Sequence, residues 1–300
     1  MKQFVRYLFL CLLSLSIEGC DPKWDFTTDY EPQVVVEGSI ESNGFARVYL
    51  SYSKALGSTW DSLSISEIPL TTARVEVSDG EKSEVLTLRS EDHRLPYFVY
   101  TGNTLRGEPG KRYFLRITHQ GKDLTAETTV PAPIKIDSFT IQPCAGSDTL
   151  FQVTAFFHDP QEEKNYYKLF TRAYGKDSAY YNAFMGTVSD DILSSPIAQI
   201  NVFRAFRHTE LNKYTPFFVT DEEVGVKFTQ VNEETFLFWK EYENEVVNNG
   251  NPFFPNTSNL PGNIRGGLGI WAGYGVSSYR LHINSTKKLP NSRLSSFSRL

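Results

Sequence analysis

Apolar and polar residues alternate in short stretches between residues 31 and 131, which is the pattern of strands that bury one face. Asp79-Gly80 and Gln120-Gly121 separate such stretches and predict hairpin turns. Because seven such stretches occur without a helical pattern among them, we predict an immunoglobulin-like β-sandwich over residues 31–131. The predicted strands lie near residues 33–40, 46–51, 73–78, 83–88, 97–101, 110–118 and 124–130.

A second β-rich region begins after Pro131-Ala-Pro133, where two prolines interrupt the strand pattern and form a short, stiff linker. One helix is predicted near residues 233–248, because Asn232 is a good N-cap and apolar side chains recur at helical spacing from Phe236 onward. We therefore predict a mainly β fold, with a second domain over residues 134–286 and a disordered tail over 287–300. The strands predicted in this domain lie near residues 135–142, 150–158, 165–174, 179–188, 197–207, 268–274 and 277–284.

The first twenty residues have the pattern of an export signal. Lys2 and Arg6 precede an apolar run that is shorter than the roughly 20 residues needed to cross a bilayer. Gly19 stands directly before Cys20, as at the cleavage site of bacterial lipoproteins. We predict a lipoprotein signal peptide over residues 1–19 and lipid attachment at Cys20. An ordinary secretory signal with a chance cysteine is the alternative, and Glu18 is unusual at its position.

The predicted anchor determines where the protein is expected. Two or more acyl chains hold a protein stably on a membrane, and residues 20–30 would form the lipidated cysteine and its tether. Asp21, Asp25 and Asp29 loosely resemble the acidic signals that send some Bacteroidota lipoproteins to the cell surface. A solvated tether explains them equally well. These residues leave open whether the protein faces the cell surface or the periplasm.

The cysteine count and the charge limit the disulfides and the partners that are expected. Cys11 would leave with the signal and Cys20 would carry lipid, so Cys144 remains without a disulfide partner. A lone cysteine of this kind is more often a small apolar side chain than a nucleophile. The chain has 30 basic and 35 acidic residues, a net charge of −5, and no basic cluster. Nucleic acid is therefore not expected as a partner.

No catalytic or metal-binding motif stands out. The five histidines include no pair at the spacing of a helical zinc site, and a Gly-x-Ser-x-Gly motif is absent. An acidic turn contains Asp159, Glu162 and Glu163, which suits either calcium or a solvated loop, but it lacks the EF-hand pattern. We therefore predict no enzyme activity, no cofactor and no metal, although a dispersed site would leave no readable pattern.

Two further patterns have a structural and a functional interpretation. Residues 263–274 are rich in glycine, and without a strand-to-helix transition they indicate close backbone approach beside Trp271 rather than a phosphate site. Adjacent aromatic residues occur at Tyr166-Tyr167, Tyr180-Tyr181 and Phe217-Phe218. Such rings either suit half-buried sheet surfaces or stack on sugars and fill a partner's pocket.

Several segments resemble a known family. They are Tyr30-Glu-Pro-Gln-Val-Val-Val-Glu-Gly-Ser-Ile40, Val48-Tyr-Leu-Ser51, Ala73-Arg-Val-Glu-Val-Ser-Asp-Gly80, Gly110-Lys-Arg-Tyr-Phe-Leu-Arg-Ile117, Asn251-Pro-Phe253 and Asn263-Ile-Arg-Gly-Gly-Leu-Gly-Ile270. In this order they resemble domain-of-unknown-function family 4249, which consists of Bacteroidota lipoproteins. The resemblance implies no established activity and no catalytic residues. It also implies a link to TonB-dependent outer-membrane receptors, whose genes often neighbour those of the family.

Together these patterns predict a lipid-anchored outer-membrane protein whose membrane contact is the lipid on Cys20. The first functional hypothesis is a non-enzymatic accessory or ligand-binding partner of a TonB-dependent transporter. The alternatives are a surface adhesion or glycan-binding module and an unrecognised envelope hydrolase. The ligand, the receptor partner and the oligomeric state are not readable from the sequence.

Overall fold

The computed structural model of the protein describes residues 30–54, 69–91, 97–193, 196–205, 214–248 and 260–284. The predicted signal peptide (residues 1–19), Cys20 and the tail over 287–300 lie outside the described residues, as does all of the tether except Tyr30. The family segment Asn251-Pro-Phe253 also lies outside them.

The described chain is mainly β, as predicted. Its first half contains strands β1 (Val34–Glu41), β2 (Phe45–Tyr52), β3 (Arg74–Ser78), β4 (Ser83–Val85), β5 (Thr87–Ser90), β6 (Phe98–Arg106), β7 (Arg112–His119) and β8 (Lys122–Thr129). Its second half contains β9 (Ser138–Pro143), β10 (Leu150–His158), β11 (Tyr166–Ala173), β12 (Tyr181–Ser189), β13 (Ile197–Val202), β14 (Phe218–Val219), β15 (Glu223–Val231), helix α1 (Glu233–Asn248) and β16 (Leu268–His282). A short 3₁₀ helix spans Asp190–Ile192.

The strands form one long sheet and two short ones. The long sheet has eight strands in the order β12-β11-β15-β16-β1-β2-β6-β5. One short sheet has the order β4-β3-β7-β8, and the other joins β13, β10 and β14, with β9 also paired to β10. Each short sheet takes its strands from one side of the 131–133 linker. The long sheet combines strands from both sides.

β16 connects the two halves of the long sheet. It pairs in parallel with β1, from Val35 opposite Leu268 to Glu41 opposite Tyr274, and its following residues, Gly275 to His282, pair antiparallel with β15. The sequence pattern predicts two strands over residues 268–284, whereas the structure has one unbroken strand. The predicted interruption fell near Gly275, where the structure has no turn.

Gly275 instead makes room for the linker. A Cβ atom at Gly275 would lie 2.5 Å from the carbonyl oxygen of Pro131 and 2.7 Å from that of Ala132. The linker therefore crosses directly over β16. The stiff segment between the two β-rich regions is packed on the strand that both regions share.

The alternation of side chains along β16 separates three buried clusters. Trp271 faces a cluster shared with the sheet of β3, β7 and β8, and Leu281 faces a cluster shared with the sheet of β10 and β13. Ile270, Ala272 and Tyr274 face the opposite side, where they pack with α1. Both short sheets thus cover one face of the long sheet, and α1 lies on the other face.

The glycine-rich segment confirms the predicted close approach of backbone at Trp271. This side chain is fully buried and donates its indole N–H to the Tyr113 carbonyl oxygen at 3.1 Å. A Cβ atom at Gly38 would lie 2.7 Å from the indole ring. A Cβ atom at Gly269 would overlap the carbonyl oxygen of Val36 on the neighbouring strand.

The predicted helix is confirmed over Glu233–Asn248. Asn232 caps it, because its side-chain oxygen accepts a hydrogen bond from the Thr235 backbone N–H at 2.9 Å. Phe238 and Trp239 are buried against the long sheet. Docking of this apolar face supplies most of the stability that a helix of this length needs.

The single strand predicted near residues 83–88 is two strands, β4 and β5, which belong to different sheets. Two further strands were missed by the sequence pattern. β14 has only two residues, which is too short for a periodic signal. β15 is a central strand with a neighbour on each side, and it buries residues on both faces, so its sequence does not alternate cleanly. Lys227 and Gly225 within it further weaken its resemblance to a strand.

Candidate ligand-binding cleft

A cleft of about 480 Å³ lies on the face of the long sheet that carries α1. Side chains from β1, β2, β6, β11, β15 and β16 line it, together with Trp239 of α1 and the hairpin between β11 and β12. Local connections bring β1 beside β2 and β11 beside its hairpin. The pairing of β1 with β16 places residues from the two halves of the chain side by side.

The alternation of β1 supplies part of the cleft lining. Val36 and Ile40 point into the buried cluster under the short sheet, whereas Glu37 and Glu41 point into the cleft. Strand geometry thus places two carboxylates on the open face of an otherwise apolar strand.

One wall of the cleft is a hydrogen-bonded group of three side chains. The Arg47 guanidinium donates to both carboxylate oxygens of Glu91, at 3.0 and 2.8 Å, and to the Tyr49 hydroxyl at 2.7 Å. The Tyr49 hydroxyl donates to Glu91 at 2.6 Å. All three bonds of Arg47 come from one guanidinium nitrogen, Nη2, so this nitrogen draws Glu91 and Tyr49 together.

The opposite wall is the hairpin that connects β11 to β12. The Asp177 carboxylate accepts the backbone N–H of Ala173 at 2.6 Å, and the Asp177 carbonyl accepts from Nε of Arg172 at 3.1 Å. The closed hairpin carries Tyr180 across to β15, where the phenol lies on Gly225. A Cβ atom at Gly225 would be 2.5 Å from the Tyr180 hydroxyl oxygen.

Lys227 and Glu41 form an ion pair of 2.7 Å between β15 and β1. The Lys227 ammonium also lies 5.1 Å from the centroid of the Tyr180 ring, within cation–π range. Burial raises the pKa of Tyr180, and the hydrogen bond with Tyr174 adds to this shift. The phenol therefore stays neutral at physiological pH and keeps its O–H group.

The aromatic part of the lining is held in fixed positions. Phe170 meets Tyr274 edge to face at 5.7 Å between ring centroids and Trp239 at 6.3 Å. The indole N–H of Trp239 donates to the Tyr274 hydroxyl at 2.7 Å. Phe170 and Tyr180 are half-buried, so each ring keeps part of its surface open to the cleft. This edge-to-face arrangement is the one that aromatic rings prefer.

Beside the cleft, a buried ion pair ties α1 to β11. Lys168 is fully buried, and its ammonium donates to Glu243 at 2.7 Å and to the Thr187 hydroxyl at 3.0 Å. The Thr187 hydroxyl in turn donates to Glu243 at 2.6 Å. Burial lowers the pKa of Lys168, and the nearby carboxylate opposes that shift. The pair holds the helix that bears Trp239 against the sheet.

A larger cavity, of about 720 Å³, lies on the outer face of the short sheet of β3, β7 and β8. Exposed Phe114 and Leu237 contribute to it. Its charged lining residues are Glu76, Arg116, Glu127, Glu234 and Arg265. Glu76 and Arg116 form surface ion pairs with Arg74 and Asp123, which lie outside the lining, and such pairs contribute little to stability. In the cleft, by contrast, the ion pairs join lining residues to each other.

The structure also places the residues considered for chemistry. Cys144 is half-buried, and burial raises its pKa, which disfavours the reactive thiolate. Asp159 of the acidic turn accepts from Tyr167 and from Gln161. Among the residues that the structure describes, no three His, Cys, Asp or Glu side chains are arranged to hold a metal ion. His93 and His208 lie outside that part of the chain.

The aromatic pairs mostly belong to the core. Tyr166 and Tyr167 are both buried, and Phe218 is buried as well. Tyr180 is the member of these pairs that lines the cleft. Its neighbour Tyr181 does not line the cleft, but its hydroxyl is hydrogen-bonded to Ser178, which does. The sequence pattern marked Tyr180 but contained no signal for the rest of the cleft.

Fold and cleft together define a mainly β protein with a preformed cleft at the junction of its two halves. The family described as Domain of unknown function (DUF4249) matches residues 23–280, and the chain belongs to this family. The resemblance noted in the sequence is therefore confirmed. No curated protein matches the chain. In the described part of the chain, α1 is neither long nor apolar enough to cross a membrane.

Proposed function

We propose that the protein is an outer-membrane lipoprotein that binds a ligand as a non-enzymatic accessory of a TonB-dependent transporter. The cleft carries the ligand-binding part of this proposal, because charged and aromatic side chains from five strands converge there. The signal pattern up to Cys20 supports the anchor. Membership of the family supports the link to a transporter.

The finer description of the fold is part of the same proposal. We infer an immunoglobulin-like sandwich over residues 31–131 and a second domain over residues 134–286. One buried cluster shared by β1, β2 and the short sheet of β3, β7 and β8 supports the sandwich. A separate cluster between β10, β11 and β15 supports the second domain. In this arrangement β16 would serve both domains.

The anchor is tested by changing single cysteines. We expect Cys20→Ala to release the protein from the membrane fraction, because no acyl chain could then be attached. Cys144→Ala is the matched control, and we expect it to stay in the membrane fraction, since Cys144 lies within the folded chain. The measurement is the partition of each variant between soluble and membrane fractions. Retention of Cys20→Ala in the membrane would contradict lipid attachment at this residue.

The transporter partnership is tested by crosslinking in intact cells. The tagged protein is crosslinked, solubilised with its membrane and purified, and the bound proteins are identified by mass spectrometry. We expect a β-barrel receptor of the TonB-dependent class among them. The Cys20→Ala variant should lose this partner, because it no longer stays at the membrane. Efficient crosslinking without any such receptor would refute the partnership.

A further inference from the structure

We infer that the cleft binds a neutral saccharide, an inference that rests on the ligand-binding part of the proposed function. Its lining contains three carboxylates and three cationic side chains. They are Glu37, Glu41, Glu91, Arg47, Arg172 and Lys227. This balance gives the cleft no net charge with which to attract an ion of either sign.

The ion pairs within the cleft also disfavour a charged ligand. Arg47 is bonded to both oxygens of Glu91, and Lys227 is bonded to Glu41 at 2.7 Å. A ligand carboxylate or ammonium that docks at either pair would have to separate it and leave a partly buried charge without its partner. A hydroxyl group avoids this loss, because it accepts from the cation and donates to the neighbouring carboxylate at the same time.

Neighbouring hydroxyls on a sugar ring match the cations and carboxylates that stand side by side in the cleft. The sugar ring also has an apolar face of C–H groups, which packs on the face of an aromatic ring. Phe170 and Tyr180 supply partly open rings of this kind. Both are held before any ligand arrives, Phe170 by Tyr274 and Tyr180 by the glycine at position 225. A preformed site loses less entropy on binding.

The cleft volume of about 480 Å³ lies within the range of small-molecule sites. It accommodates a short oligosaccharide or the end of a longer glycan. A free oligosaccharide and a glycan end present the same hydroxyl groups and apolar ring faces. A comparison of mono-, oligo- and polysaccharides separates the two.

The test uses the full lipidated protein in detergent on an array of neutral and charged mono-, oligo- and polysaccharides, followed by calorimetry with the neutral glycans that bind. We expect binding to a neutral member, with an affinity that changes less than about twofold between 0.05 and 0.5 M salt, because no ligand charge is screened. Binding confined to charged glycans, or no binding to any neutral member, would overturn the inference.

Two aromatic residues provide a matched pair of variants. Tyr180→Ala removes a ring from the cleft and is expected to weaken binding about tenfold. Phe114→Ala removes an exposed ring from the cavity on the short sheet and is expected to leave the affinity unchanged. Equal affinities for the two variants would overturn the placement of the site.

A third variant guards against a folding defect in the hairpin. Glu91→Gln keeps the shape of the side chain on the opposite wall but removes its charge, and it should weaken binding about tenfold by loss of a charged hydrogen bond. Thermal melting of all three variants shows whether they are folded. Anchoring and receptor crosslinking do not depend on the sugar, so these measurements separate failure of this inference from failure of the proposed function.

Discussion

Gly269→Ala is expected to destabilise the protein by more than about 4 kcal/mol, or to prevent folding altogether. Gly269 has φ of +105°, a backbone conformation that alanine adopts only with strain. The added Cβ atom would also overlap the Val36 carbonyl oxygen, directly across the pairing of β1 with β16. To relieve this overlap the two strands must separate, which breaks hydrogen bonds worth about 1 kcal/mol each.

Gly146→Ala is the control that measures the cost of the positive φ alone. Gly146 has φ of +76°, but a Cβ atom there meets nothing within 4 Å. We expect a loss of about 1–2 kcal/mol for this variant. Urea unfolding followed by tryptophan fluorescence measures both variants, since Trp239 and Trp271 are buried. If both variants lose the same free energy of unfolding, then the close approach of β16 to β1 does not limit the residue at position 269.

Lys168→Met is expected to reduce the free energy of unfolding by about 3–5 kcal/mol. Methionine fills a similar volume, so the loss comes from electrostatics rather than from an empty space. Lys168 has no exposed side-chain surface and Glu243 has only 14% exposed, so the carboxylate would lose its partner in a mostly dry environment. The loss should appear in the same urea titration and should be largest for signals from α1.

A double variant separates the ion pair from other effects at this position. In Lys168→Met with Glu243→Leu, both charges are replaced by apolar groups, and we expect most of the lost stability to return. The part of the stability that does not return comes from the Thr187 hydroxyl, because it loses its hydrogen bonds to both residues. If the double variant is less stable than Lys168→Met, then the pair is not what holds α1 on the sheet.

The parts of the fold that were predicted correctly depend on nearby residues. β7 and β8 form a hairpin across Gln120-Gly121, so alternation and turn chemistry identify both strands. Helix α1 was predicted because its cap and its apolar stripe are local. The close approach at Trp271 was predicted for the same reason, since the glycines and the tryptophan stand in one short segment.

The cleft could not be predicted, because it depends on pairings between distant residues. Nothing in the sequence of β1 indicates that Glu41 will meet Lys227, which lies on another strand of the second half. β15 itself was missed, and without it neither the position of Lys227 nor the support under Tyr180 is visible. A pattern along the chain reports which face a side chain occupies, but not which strand will lie beside it.

The parallel pairing of β1 with β16 has a consequence for how the protein matures. Nearly the whole described chain lies between these partners, so this contact has a very high contact order and forms late. Under the proposed export from the amino-terminal end, β1 would cross the membrane first and would lack this partner until β16 arrives. Until then one edge of β1 stays open to other extended chains, and a truncated product would keep it open permanently. The long sheet is therefore complete only in a chain that includes β16, because β16 joins β1 to the strands of the second half.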